Sequence, residues 1–98
     1  MSTPTLHFHV TGHVQHVWFR GWTQMTARAL GLSGWVRNMP DGSVTGQAQA
    51  GDESEAGRAA LERFRQELTV GPPSARVDHL DAGYIDIPER FHGFTVRY

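Results

Sequence analysis

Residues 7 to 21, HFHVTGHVQHVWFRG, bring together four histidines, two glycines and an arginine. Three kinds of chemistry use such residues. Histidines ligate metals. Successive backbone N–H groups in a tight loop that opens a helix cradle an anion. Arginine presents a planar fork that grips a phosphate through two hydrogen bonds at once. Arg20 stands at the first turn of the helix that this loop enters, where a cation opposes the helix dipole. That misfit favours an anionic ligand. His7 and His9 point the same way from a strand, but no carboxylate lies at a recognisable ligand spacing, so no metal and no cofactor is expected.

The elements that must position these groups follow from pattern. TLHFHV alternates, with Leu6, Phe8 and Val10 on one face and His7, His9 and Thr11 on the other, and predicts a strand that Gly12 ends. GWTQMTARALG predicts a helix whose apolar stripe is Trp22, Met25, Ala29 and Leu30, with Gly31 just past its end. SGWVRN and VTGQAQA predict a hairpin around the turn MPDGS, where Pro40 fixes φ and Gly42 tolerates a positive one. DESEAGRAALERFRQEL predicts a second helix with Asp52 and Glu55 as a capping box and Leu61, Phe64 and Leu68 as its core stripe. VGPPS breaks it. ARVDHLDAGYID predicts a fourth strand, and GFTVRY a short last one with Phe94, Val96 and Tyr98 on one side.

The order is βαββαβ with an additional strand. It predicts one α+β domain over residues 1–98, a ferredoxin-like sandwich with an antiparallel sheet and both helices on one face. In that arrangement strands one and two are parallel, with strand three between them. Their C-terminal ends share an edge of the sheet, roughly 10 Å apart at a strand spacing of ~4.8 Å. The loop at 12–20, Arg20 and Asn38 are therefore expected to form a common site.

With these residues placed, VTGHVQHVWFR and GWVRNMPDGSV, followed by GPPSARVDHL and FTVRY, resemble the acylphosphatase family along essentially the whole chain. Its signature is V-x-G-x-V-Q-G-V-x-[FY]-R, then G-[WF]-V-x-N-x-x-D-G. The resemblance implies hydrolysis of acyl phosphates to a carboxylate and inorganic phosphate, with neither a metal nor a covalent enzyme intermediate. It implies that Arg20 holds the phosphoryl group together with backbone amides of Val14, Gln15, His16, Val17, Trp18, Phe19 and Arg20. Asn38, in the second motif, is implied to orient the attacking water. Such chemistry is sufficient, because an acyl phosphate has a good leaving group and needs positioning and charge stabilisation more than a strong base.

His16 departs from the pattern, which has glycine there. Glycine permits close approach and positive φ, but histidine also visits positive φ more readily than most residues. Three outcomes are open: a closed cradle with a slower rate, an added donor to the phosphate, or a non-catalytic anion-binding or regulatory module. The first two are favoured.

Other classes fit less well. The net charge of −1 excludes a broad electrostatic footprint for nucleic acid or anionic lipid. RNA-recognition modules share the βαββαβ order, but their aromatic, basic third strand is SVTGQAQAG here. There is no cysteine for a disulfide or thiolate site. No apolar run approaches the ~20 residues that span a bilayer, and MSTPTLHFHV is not a signal peptide. A monomeric cytoplasmic protein acting on a small-molecule acyl phosphate, with no nucleic-acid or membrane partner, is expected. Trp22 and Trp35 are assigned to packing, while for Trp18 both packing and a place at the pocket mouth stay open. Arg37 and Arg97 are expected to project from strands and pair with acidic neighbours, with a place near the site left open for either, and Asp41 and Gly42 to serve the turn.

Overall fold

The computed structural model describes residues 3–98. In chain order the elements are β1 (Thr3–His13), α1 (Phe19–Ala29), β2 (Ser33–Asn38), β3 (Val44–Gln49), α2 (Glu55–Leu68), β4 (Arg76–Ile87) and β5 (Phe94–Arg97). One sheet contains the five strands in the order β4-β1-β3-β2-β5. β3 is antiparallel to both β1 and β2, so those two run parallel on either side of it.

Strand period decides which residues face the helices. Leu6, Phe8 and Val10 of β1 stand opposite Ala48, Gly46 and Val44 of β3, and Val36 of β2 continues the same layer. The phenylalanines bind the layers together. Phe64 of α2 meets Phe8 edge-on at 5.5 Å and Phe94 of β5 at 6.0 Å. Full burial of one such ring is worth up to about 3 kcal/mol, and all three are fully buried. The stripe Leu61, Phe64, Leu68 is the buried face of α2.

Four details differ from the sequence expectations. β1 continues through Gly12 to His13, with its register against β4 shifting between Thr11 and Gly12. At that bulge Gly12 has φ 128°, and a Cβ would lie 2.1 Å from the Arg76 carbonyl oxygen. Only glycine fits there, and the bulge lets the strand continue. The buried face of α1 is Phe19, Thr23 and Ala27. Met25 and Ala29 are exposed, while Trp22 and Leu30 pack at the core margin. Thr23 escapes a hydrophobic pattern because its hydroxyl donates to the Phe19 carbonyl at 2.7 Å and so is satisfied while buried.

The cap of α2 is Ser54 rather than Asp52. Ser54 accepts from the Gly57 N–H at 3.2 Å, and Asp52 accepts from the Ser54 N–H at 2.9 Å. The helix consequently begins at Glu55. Finally, β5 runs parallel to β2, which makes the sheet mixed rather than wholly antiparallel. The chain leaves β4 at one edge and crosses to the other along the same end of the sheet, so it must enter β5 in the direction of β2. Buried Gln49 secures this crossover, donating to the Glu89 carbonyl and accepting from the Phe91 N–H, each at 2.9 Å.

Candidate active site

The loop between β1 and α1 is shaped by two non-glycine residues in the left-handed region, His16 at φ 63° and Trp18 at φ 64°. Val17 between them has no positive φ. Alternation of this kind turns successive N–H groups toward one side, which is how a backbone concavity for an anion is made. Each left-handed side chain costs about 1–2 kcal/mol, so the loop keeps this shape against its local preference.

The start of α1 adds donors. Trp18 is the N-cap, but no side chain caps the helix and no acidic residue occupies the first turn. The first helical N–H to find a carbonyl is that of Trp22, which meets Trp18 at 2.9 Å. The amides of Phe19, Arg20 and Gly21 thus stand at the open, positive end of the helix.

Arg20 and Asn38 line one pocket of about 270 Å³ together with Val14, His16, Trp18, Phe19, Gly21, Gln24, Val96 and Tyr98. The sheet period explains the selection. Asn38 follows Val36 on the helix-facing side of β2, and Tyr98 follows Phe94 and Val96 on that side of β5. Arg37 and Arg97 alternate to the open face, where their guanidinium groups lie 5.7 and 4.6 Å from the Trp35 ring. The expected acidic partners are replaced by this aromatic plate, and neither arginine reaches the pocket.

Two members of the predicted loop do not line the pocket. Val17 packs against the core. Gln15 turns toward the β2–β3 turn, donating from Nε2 to the carbonyls of Met39 at 2.8 Å and Ser43 at 2.9 Å. This clamp ties the loop to the turn that follows Asn38, a role that residue type alone does not disclose. Gln15→Ala is expected to cost about 1–2 kcal/mol in urea melts and about tenfold in kcat/KM through lost positioning. Gln15→Glu should be worse, because its oxygens would confront two carbonyls. Unchanged melting and kinetics in both variants would refute the clamp.

The turn itself is built as expected. Asp41 Oδ1 accepts from the Ser43 N–H at 2.9 Å and from the Ser43 hydroxyl at 2.5 Å, and Gly42 has φ 92°. The Ser43 hydroxyl, then its N–H, holds the Asp41 carboxyl below its ordinary pKa. Its support for the turn is therefore present above the usual carboxylate range and fades as pH falls through the lowered value.

The sequence places Tyr98 only at the end of the last strand, which closes at Arg97 in the structure. Its ring lies 4.8 Å from the Arg20 guanidinium carbon. Stacking on the guanidinium face leaves the N–H edge available for an oxyanion. Among the described residues, no carboxylate pairs with Arg20 and no group hydrogen-bonds the Asn38 carboxamide. His7 and His9 of β1 lie elsewhere, on the open face. His9 Nε2 is buried there without a hydrogen-bond partner. No group of three His, Asp or Glu side chains among the described residues is arranged to hold a metal ion.

Comparison with known proteins gives consistent matches. The family model described as Acylphosphatase matches residues 6–96. An acylphosphatase of Lactobacillus johnsonii is 46% identical over 99 aligned positions that cover all of both chains. One from Rhodospirillum rubrum is 43% identical over 86 residues, 88% of each chain. The crystal structure of acylphosphatase from Bacillus subtilis has a TM-score of 0.85 at 33% identity, covering 97% of this chain and 99% of that one.

Proposed function

The chain belongs to the acylphosphatase family and is an enzyme that hydrolyses acyl phosphates, and we propose that it does so by direct attack of a water held by Asn38 on a phosphoryl group held by Arg20. The observation that carries this assignment is the single pocket in which the β1–α1 loop, Arg20 and Asn38 meet. The phosphoryl oxygens take the N–H groups of the loop and the first turn of α1, with Arg20 closing on them from its edge. The Asn38 carboxamide oxygen accepts from a water opposite the acyl oxygen. As the water oxygen bonds to phosphorus, the phosphorus–acyl oxygen bond breaks and the carboxylate leaves. The water proton passes to a phosphate oxygen, so no side-chain base is required, and an asparagine could not serve as one.

The net charge of −1 supports a small-molecule substrate over nucleic acid, and the cysteine-free sequence fits a cytoplasmic location. No helix among the described residues is long and apolar enough to cross a membrane. The direct test is release of inorganic phosphate from an acyl phosphate with a chelator present. Turnover that persists supports the scheme, whereas turnover lost to the chelator and restored by a divalent cation overturns it.

His16 lines the pocket with an exposed imidazole. Its left-handed backbone is the conformation that glycine takes without steric cost. His16→Gly is therefore expected to retain or raise kcat/KM. A large loss in that variant would mean that the imidazole itself contacts the reacting group.

A further inference from the structure

The pocket has two chemically different ends. Toward α1 it offers N–H groups and a guanidinium; toward solvent it offers two aromatic side chains, Trp18 at 62% exposure and Tyr98 at 100%. Large exposed rings at the rim of a polar cleft mark contact with something apolar.

Trp18 is also seated. Its left-handed backbone fixes the direction of Cβ, and its indole occupies the space that a side chain at position 21 would take. A Cβ on Gly21 would lie 2.0 Å from the indole Nε1 and 2.6 Å from Cδ1. The ring therefore lies against the first turn of α1, beside Arg20. Tyr98, stacked on the Arg20 guanidinium, stands at the same rim.

We propose that Trp18 and Tyr98 determine specificity for the acyl half of the substrate, holding a flat, apolar acyl group between them so that aromatic acyl phosphates are favoured over small aliphatic ones. The inference rests on the assignment of Arg20 and the loop to the phosphoryl half. With that half fixed, the acyl substituent projects toward the solvent side, where the two rings stand. Among the described residues, Arg20 is the sole arginine lining the pocket, and no lysine lines it. An acyl group carrying a second carboxylate gains no guanidinium or ammonium partner there.

The test compares kcat/KM for benzoyl phosphate and acetyl phosphate in the wild type and in rim variants. The wild type is expected to favour benzoyl phosphate. Trp18→Ala should lower the benzoyl-to-acetyl ratio about tenfold, the upper range for one aromatic contact, with Trp18→Phe keeping it within about twofold. Gly21→Ala, which drives the indole from its seat, and Tyr98→Ala should each lower the same ratio. Because position 98 is fully exposed, its variant tests the idea even if changes at position 18 disturb the loop. A ratio unchanged in Trp18→Ala, Gly21→Ala and Tyr98→Ala overturns the specificity assignment while leaving hydrolysis intact. A wild type that cleaves neither compound overturns the functional reading beneath it as well.

Discussion

Arg20→Ala is expected to lower kcat/KM for an acyl phosphate by at least about 10³-fold and to abolish competitive inhibition by inorganic phosphate. The guanidinium supplies both charge and a fork of fixed geometry to oxygens that gain charge as the bond to the acyl group breaks. Because phosphate itself presents similar oxygens, ground-state binding should fail together with turnover. Arg20→Lys should recover little, since an ammonium restores the charge but neither the paired donors nor the flat face that rests on Tyr98. Stability should stay within about 0.5 kcal/mol of the wild type, because the side chain is only half-buried and forms no ion pair among the described residues. An Arg20→Ala enzyme that still binds phosphate with wild-type affinity would displace Arg20 from the site.

Asn38→Ala should separate what Arg20→Ala joins. A residue that positions water touches the nucleophile and not the phosphoryl oxygens, so its loss should appear in kcat, by about 10²-fold. The inhibition constant for inorganic phosphate should stay within about threefold. Asn38 ends β2 at its pairing with Val44, and the carboxamide has no hydrogen-bond partner among the described residues, so the fold should tolerate alanine. Near-normal kcat in this variant would rule out the proposed water position. A fall in phosphate affinity as large as the fall in kcat would recast Asn38 as a phosphate ligand.

The frame of this site is legible in the sequence because its parts obey strand period. Alternation in TLHFHV and the hairpin around PDG put strands one and two in parallel, and their shared edge then brings Arg20 and Asn38 together. What escapes the pattern is polar or conformational. Thr23 carries the buried stripe of α1 while satisfying its hydroxyl locally, so Met25, the more hydrophobic residue, is misleadingly prominent. The clamp made by Gln15 joins residues 24 and 28 positions apart, which no local pattern records. Arg37 and Arg97 look like members of ion pairs, but strand alternation puts them beside Trp35, and the nearest partner is a ring. Tyr98 shares the side of Phe94 and Val96 already in the sequence, but the alternation does not record that this side meets Arg20 across the sheet edge.

Gln49, which secures the passage from β4 to β5, also bears on the order of assembly. Thr95 lies 61 residues from its contact Gly34, so docking of the last strand closes a long loop whose entropy must be met before its contacts form. The β2–β3 hairpin closes a far shorter one. During refolding, the rim carrying Val96 and Tyr98 should be among the last parts to arrive, so phosphate binding recovers later than sheet structure. Recovered activity is then a stricter measure of a finished molecule than its circular dichroism.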